Sequence, residues 1–431
     1  MSSAHAHAPL TPTAVSASPE AGCSHEVLLT RHPIFDTGRQ TIGYELDTKL
    51  IGEVHPGTDL ASEICRHTIH QALHVVGLEP LLGQSRLFIP VTPQVLSNEE
   101  YMLLPPERTC LKLPPSMPLN ETVLASSQKA RQAGYTLAIQ GDMATDRHWP
   151  MFDLAQIIRI DLASMQPEQL HTLLHRKGYS GPSLLAASID THEQLDKALQ
   201  LGVEYVQGFF FSEPQTSTHR ALTTPQVIQL RFLSELSKPQ LNYETLESII
   251  KSDVALMTHL LRYMNSAAMG IPRRITSVKQ ALALLGERAV RKWGSLVAIT
   301  ALGAGSPHEL LVTSLVRARF CELVANRLHL EAQALDAFLT GLFSTIDVML
   351  HTTMEQALGS LPVESHVRSV LLGDHSSPLG MIYSLVCAAE RGAWGSVIEL
   401  GHKLLLPQQE VAPLYYQTLR WIDEFYSQSA A

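Results

Sequence analysis

Charged and polar side chains occur at the ends of several short β-rich runs in this 431-residue sequence. They are Glu45, Lys112, Arg159, Asp161 and Gln207. Carboxylate and amide oxygens bind hard divalent cations, whereas lysine and arginine bind phosphate groups. Because catalytic side chains of a barrel lie at the carboxyl ends of its strands, these positions are the first candidates for chemistry.

The runs that carry these side chains alternate with helical patterns between residues 25 and 214. The strand candidates are residues 27–31, 41–46, 86–91, 110–113, 136–140, 157–161, 184–188 and 205–207. Helical patterns, such as those at 60–76 and 126–133, lie between several of them. Repeated strand-then-helix order with nearly continuous apolar strands predicts an α/β fold, a parallel sheet closed into a TIM-type barrel.

The second half of the chain lacks strand signals. Residues 215–225 are polar and rich in threonine, which predicts a linker. Beyond them apolar residues recur at helical spacing, as in Leu256, Leu260 and Met264, which follow the cap-type residues Ser252 and Asp253. This pattern predicts an all-α domain over residues 226–431.

The composition is typical of a soluble globular protein. Hydrophobic residues make up 45% of the chain and charged residues 17%, and no apolar run reaches the roughly 20 residues of a membrane-spanning helix. Residues 1–24 are rich in Ala, Ser, Pro and His without an apolar block, which predicts a disordered leader instead of a secretory signal. A cytoplasmic protein without a membrane partner is expected.

The distribution of charge and the spacing of the cysteines exclude further classes of protein. The net charge of −9 is concentrated before residue 219, where 23 acidic residues outnumber 14 basic ones. An acidic half disfavours nucleic-acid binding. The five cysteines are far apart and form no CxxC pair, which argues against a disulfide framework and a zinc site. No metal site is expected at His5 and His7, and no cofactor elsewhere.

Ordered sequence blocks cover nearly the whole chain. In the first half they are RHPIFDTGRQTIGYEL, which contains Glu45, then LLPPER, AGYTLAI, IIRID and YVQGFFFSEP. In the second half a block runs from LSELSKPQ to ALALLG and contains Asn265 and Ser266. In order and spacing these blocks resemble the EAL–HDOD family of bacterial signalling proteins. The resemblance implies a cyclic-di-GMP phosphodiesterase barrel, which uses two divalent ions when active, fused to an HDOD regulatory domain.

The sequence departs from this family where active EAL enzymes hold their metal ions. Glu45, Asp161 and Gln207 are kept. The family's asparagine, glutamate, paired aspartates, catalytic lysine and later glutamate are replaced by Pro90, Lys112, Gln140 with Gly141, Arg159 and Ala187. Asp142 is at best a shifted substitute, and Asp190 stands where the second acid of the later block would be. A lysine in a two-metal pocket repels cations, so the barrel is expected to be a degenerate, non-catalytic phosphodiesterase.

The helical half departs from its active relatives in the same way. The metal-dependent HD phosphohydrolases that it resembles need an adjacent His-Asp pair, as in GLLHDIG, whereas residues 341–347 read GLFSTID. Ser344 and Thr345 are poor metal ligands. Loss of the pair is characteristic of HDOD domains, which the resemblance implies are signalling or interaction modules.

Each candidate residue also has a purely structural interpretation. Lys112 and Arg159 either clamp a phosphate or nucleotide, or fill the space left by the metals and pair with Glu45 and Asp161. The second interpretation is favoured. Gln207 either contacts a base or is a turn residue, and both interpretations stay open.

The candidates in the helical half are similarly ambiguous. Asn265 and Ser266 are expected to cap a helix and fix the following turn, with direct signalling contact as the alternative. Arg273 and Arg274 belong to a basic set with Arg288, Arg291 and Lys292. A solvated face explains that set better than a site for an anionic partner.

The sequence therefore predicts a non-catalytic adaptor that acts through unidentified protein partners in cyclic-di-GMP-linked control of motility or surface behaviour. The alternative is a receptor that binds cyclic di-GMP without hydrolysing it. Self-association into a homodimer is a further expectation.

Overall fold

The computed structural model describes residues 26–51, 59–118, 120–141, 149–162, 164–165, 167–177, 181–213, 223–266, 269–271, 273–359, 361 and 363–430. The predicted leader, Asp142 and most of the predicted linker lie outside these residues.

Eight strands close into a barrel in sequence order. Their bounds are β1 Glu26–Asp36, β2 Thr41–Ile51, β3 Arg86–Pro90, β4 Thr109–Leu113, β5 Thr136–Gln140, β6 Ile157–Asp161, β7 Ser183–Ala187 and β8 Tyr205–Gln207. A cluster of buried side chains that includes Ile34, Phe88, Cys110 and Ile157 fills the space inside the barrel. The barrel predicted from the strand-then-helix order is confirmed.

β1 is the exception to the parallel order of the described strands, because it runs antiparallel to both β2 and β8. β1 pairs with β8 only from Ile34 to Asp36, and β2 pairs with β3 only from Gly43 to Glu45. The remaining halves, residues 26–31 and 46–51, pair with each other. They form a two-stranded outer ribbon that extends beyond the sheet at the carboxyl end of β2.

Helices alternate with the strands of the barrel. They are α1 Leu60–His70, α2 Leu78–Leu82, α3 Pro93–Ser97, α4 Glu121–Gln132, α5 Trp149–Phe152, α6 Pro167–Lys177 and α7 His192–Gln200. Local sequence explains several of their starts. Asn120 caps α4, and Thr191 begins α7 with a capping box completed by Gln194.

The second half is helical, as predicted. Its helices are α8 Thr224–Leu236, α9 Tyr243–Ser252, α10 Val254–Met264, α11 Val278–Leu285, α12 Glu287–Leu302, α13 His308–Arg327, α14 Ala334–Phe343, α15 Ile346–Leu350, α16 Met354–Gly359, α17 Ser365–Leu371, α18 Pro378–Glu390, α19 Trp394–Leu404 and α20 Gln408–Ala430. The long helix α13 is buried over most of its length and contacts α14, α18 and α20.

The two halves share one hydrophobic core, which runs from the outer ribbon into the helices. Tyr44 on β2 donates a hydrogen bond of 2.6 Å to the buried Glu309 on α13. The Arg31 guanidinium stacks over the Tyr44 ring at 4.5 Å. α18 and α20 also contact β1. In the described part of the chain, no helix combines the length and the apolar character needed to cross a bilayer.

Candidate functional site

The predicted site residues of the barrel lie at the carboxyl ends of neighbouring strands. Side chains of a strand alternate between its two faces. Cys110 and Ile157 belong to the buried cluster inside the barrel, and Tyr205 packs against it. Two residues after them, on the same face of their strands, lie Lys112, Arg159 and Gln207. The alternation therefore directs all three into the barrel mouth, together with Glu45 on β2.

Glu45 is the centre of this group. The Lys112 ammonium makes an ion pair with Glu45 Oε1, and Gln207 Nε2 donates to Glu45 Oε2 at 3.0 Å. Burial of the carboxyl raises its pKa, but the Lys112 and Arg159 charges and the two hydrogen bonds outweigh burial, so the pKa of Glu45 lies below its usual value. The Glu45 carboxylate is thus held ionised by protein cations.

Arg159 lies beside this pair and donates from one terminal nitrogen to Gln140 Oε1 at 3.3 Å. Its Nε is buried without a hydrogen-bond partner. Asp161 ends β6, and its backbone carbonyl accepts hydrogen bonds from Ser164 and Met165. Arg159 therefore lies next to the Gln140 amide, at a position where the resemblance implies an aspartate.

A cavity of about 300 Å³ opens at the mouth. Its walls include Glu45, Arg159 and Gln207, together with His32 and Phe209. Burial lowers the pKa of His32, although the nearby carboxylates of Glu45, Asp47 and Glu390 oppose that shift. Gln207 Oε1 is buried and has no hydrogen-bond partner. Lys112 is not a wall residue, because it lies against Glu45.

Two replaced positions offer no ligand atoms to this cavity. A Cβ at Gly141 would come within 2.8 Å of Ile160 Cγ2, so an acidic side chain there needs the neighbouring side chain to move. Ala187 is fully buried. Asp190, by contrast, lines the cavity, and its Oδ1 accepts a hydrogen bond from the Phe209 amide at 3.1 Å.

Ser344 and Thr345, at the position of the missing His-Asp pair, lie beside the buried side chain of Arg317. The guanidinium donates to Ser344 Oγ at 3.2 Å and to both carboxylate oxygens of Glu390, at 2.7 and 2.8 Å. Burial raises the pKa of the nearby Asp347, and the charge of Arg317 opposes that shift. The Arg317 cation thus contacts Ser344, which stands where the resemblance implies a metal-binding histidine in active relatives. Among the described residues, no group of three or more His, Cys, Asp or Glu side chains could hold a metal ion.

Asn265 follows α10 and ties the next loop to it. Its Nδ2 donates to Leu261 O at 2.6 Å and to Ile275 O at 2.8 Å, and its Oδ1 accepts from Ile275 N at 2.7 Å. Ser266 donates only a local hydrogen bond, to Tyr263 O at 2.8 Å. These contacts match the structural interpretation of Asn265.

The basic set of the helical half does not act as one surface. Arg273 and Arg274 are exposed. Arg291 pairs with Glu287 on its own helix, and Lys292 pairs with Glu322 on α13. Two of its five members are therefore neutralised within the protein.

Sequence reasoning missed His32, Phe209 and the pair of Arg317 with Glu390. A signal existed for His32, because the block RHPIFDTGRQTIGYEL contains both His32 and Glu45, and the two residues lie opposite each other in the antiparallel pairing of β1 with β2. Arg317 and Glu390 are 73 residues apart, and no local pattern connects them.

Comparison with known proteins agrees with this architecture. The HDOD domain family matches residues 222–373. The chain is 29% identical over 405 residues to the cyclic di-GMP phosphodiesterase CdgJ of Vibrio cholerae, covering 92% of each protein. The eight-stranded barrel followed by the HDOD region is the domain order of EAL–HDOD proteins. It is also 28% identical over 404 residues to the uncharacterized protein YuxH of Bacillus subtilis, covering 92% of this chain and 98% of that protein.

Among solved structures, the Bacillus subtilis EAL-domain protein YkuI, in complex with cyclic di-GMP and calcium, is 16% identical. The match covers 54% of this chain and 72% of that chain, with a TM-score of 0.35. The helices of this EAL–HDOD protein continue from the end of the matched HDOD region to residue 430.

Proposed function

We propose that this EAL–HDOD protein is a non-catalytic signalling adaptor that acts through protein partners in a cyclic-di-GMP-linked pathway. The observation that carries the proposal is the occupation of Glu45 by the Lys112 ammonium and the Gln207 amide. A divalent ion at that carboxylate would have to displace a covalently attached cation, and it would find few further oxygen ligands.

The helical half supports the proposal independently. The Arg317 guanidinium is fixed by three hydrogen bonds beside Ser344. Such a bidentate arginine–carboxylate pair is among the stronger polar contacts in proteins. A scaffold that keeps its packing and fills both metal positions with basic side chains is suited to binding partners, not to hydrolysis.

The relative named as a phosphodiesterase makes a direct activity test necessary. Purified full-length protein is incubated with cyclic di-GMP and either Mg²⁺ or Mn²⁺, and linear product is measured by chromatography. The adaptor proposal expects no turnover above that of the Glu45→Ala variant. Hydrolysis that Glu45→Ala abolishes would overturn it.

A second candidate is a receptor that binds cyclic di-GMP without hydrolysing it. The observation that favours it is the mouth cavity, in which Arg159 Nε and Gln207 Oε1 have no hydrogen-bond partner among the described residues. Buried polar atoms without partners are uncommon in proteins and are satisfied when a ligand supplies the missing group. The solved structures of EAL proteins with bound cyclic di-GMP motivate the choice of ligand.

Calorimetry with cyclic di-GMP, with and without Mg²⁺, separates the two candidates. A receptor gives saturable heat that decreases when Arg159 is replaced by methionine. Absence of heat at high micromolar ligand removes the receptor candidate and leaves the adaptor.

A further inference from the structure

The turn between α18 and α19 reaches from the helical half to the mouth of the barrel. We name residues 390–392 the clasp. The Arg391 guanidinium lies over the Phe209 ring, 5.4 Å from its centre. Phe209 in turn meets the His32 ring edge-on at 6.2 Å. Both aromatic residues are walls of the mouth cavity, so the clasp contacts the walls of that cavity.

Gly392 makes the closest approach. It has a φ of 66°, which favours glycine. A Cβ at this position would lie 2.8 Å from Asp47 Oδ2 and 3.7 Å from His32 Nε2. A larger side chain therefore cannot occupy this position while Asp47, the clasp and His32 keep their places.

The other end of the clasp is anchored in the helical half. Glu390 ends α18, and both of its carboxylate oxygens accept hydrogen bonds from Arg317 on α13. Arg317 also donates to Ser344, which follows α14. A movement of the clasp away from the barrel thus strains or breaks contacts that hold α13, α14 and α18 together.

We propose that the clasp closes the mouth of the barrel, and that a ligand filling the mouth cavity displaces it and so alters the packing of the HDOD domain. The cavity of about 300 Å³ is at the small end for ligand sites. A polar aromatic ligand such as a nucleotide base would compete with the Arg391 cation for the Phe209 ring. The displacement of the clasp by a ligand, here called the ligand step, rests on the receptor candidate described above. The closure of the mouth by the clasp, here called the closed clasp, does not.

Hydrogen–deuterium exchange of the full-length protein tests the closed clasp without any ligand. Two variants open it in different ways. Arg391→Ala removes the cation over Phe209, and Gly392→Leu places a side chain against Asp47 and His32. We expect backbone amides of residues 26–36 and 205–213 to exchange about tenfold faster in both variants.

Matched control variants distinguish the loss of the clasp contacts from a general loss of stability. Gly286 has a φ of 74° and no atom within 4 Å of an added Cβ, so Gly286→Leu introduces the same backbone strain without the contact. Lys403 pairs only with Glu399 on α19 among the described residues, which makes Lys403→Ala the control for Arg391→Ala. If the two clasp variants exchange at the wild-type rate in residues 26–36 and 205–213, the proposal that the clasp closes the mouth is wrong.

Calorimetry with cyclic di-GMP then tests the ligand step. If the clasp restricts the mouth, Arg391→Ala binds about tenfold more tightly than the wild type, and Lys403→Ala does not. Equal affinity of the wild type and both clasp variants overturns the ligand step. If cyclic di-GMP binds none of the proteins, the receptor candidate and the ligand step fail together, and exchange alone decides the closed clasp.

Discussion

Two basic side chains, Lys112 and Arg317, lie at positions where resemblance to active relatives implies metal chemistry. Each is held by a carboxylate, Glu45 in the barrel and Glu390 in the helical half. Removing one partner of such a pair leaves the other charge buried and uncompensated, which is more costly than removing both. The stability of each pair can therefore be tested one side chain at a time.

Replacing Lys112 by methionine leaves the Glu45 carboxylate without its cation. We expect the free energy of unfolding at pH 7 to fall by about 1–3 kcal/mol, measured by urea denaturation. Because Lys112 lowers the pKa of Glu45, ionised Glu45 stabilises the wild type above its unfolded pKa of about 4.3. The difference between wild type and variant shrinks as the pH falls through the folded pKa of Glu45.

The control for Lys112→Met is the double variant Glu45→Gln with Lys112→Met. It removes both charges and keeps the approximate volume, so most of the lost stability returns. A double variant as unstable as the single one would show that packing, and not the ion pair, holds Lys112 in place.

Replacing Asp347 by asparagine is expected to change the stability with pH in the direction opposite to that of Lys112→Met. Burial raises the pKa of Asp347 in the folded state, so this group destabilises the wild type as the pH rises from about 3.9 through the folded pKa. We expect the variant to gain stability relative to the wild type between pH 4 and pH 7, measured by thermal unfolding. Asp374, whose pKa is lowered by Ser376, is the control, since Asp374→Asn moves in the other direction.

The inward-facing residues of the mouth could be predicted from sequence, because alternation along a strand and strand-end position depend only on local pattern. Glu45, Arg159 and Gln207 are examples. The ion pair of Lys112 with Glu45 was also the favoured sequence interpretation. The hydrogen bonds of Arg159 with Gln140 and of Gln207 with Glu45 were not predicted, since the register of the strands decides which side chains meet. The contact of the clasp with the barrel depends on the packing of two domains, for which a single sequence has no pattern.

The bounds of some strands could be predicted from the sequence, whereas the end of β1 could not. The bounds of β5, β6 and β8 agree with the sequence patterns, since each is a short apolar run between polar turns. β1 was predicted to end at residue 31 but continues to Asp36 through Pro33. Pro33 precedes the stretch that pairs with β8, so it lies where β1 has a neighbour on one side only and its missing N–H is tolerated.

The loop after α10 depends on a single amide side chain. We expect Asn265→Ala to lower the free energy of unfolding by about 1–3 kcal/mol, because Leu261 and Ile275 lose their hydrogen bonds with Asn265. Ser266→Ala is the matched control and changes it by less than about 0.5 kcal/mol. Equal effects in chemical denaturation would contradict a special role for Asn265.

The whole molecule is expected to unfold as one unit, because the barrel and the helices share a core. Tyr44→Phe removes the hydroxyl that donates to buried Glu309 across the boundary. We expect one calorimetric transition in both proteins, with the variant less stable by about 1–3 kcal/mol. Tyr243→Phe, on the exposed surface of α9, serves as control. Two separate transitions in the wild type would show that the halves unfold independently.

The contacts of α20 have a consequence for the order of events during synthesis. This helix, Gln408–Ala430, packs on β1 and α2, so the first described strand meets one of the last helices. Domains usually fold from the N-terminus as they emerge from the ribosome. Here the outer ribbon, with Leu28 and Leu29 almost fully buried in the folded protein, keeps an apolar surface until α20 has been synthesised. The nascent barrel is therefore a natural client for chaperones.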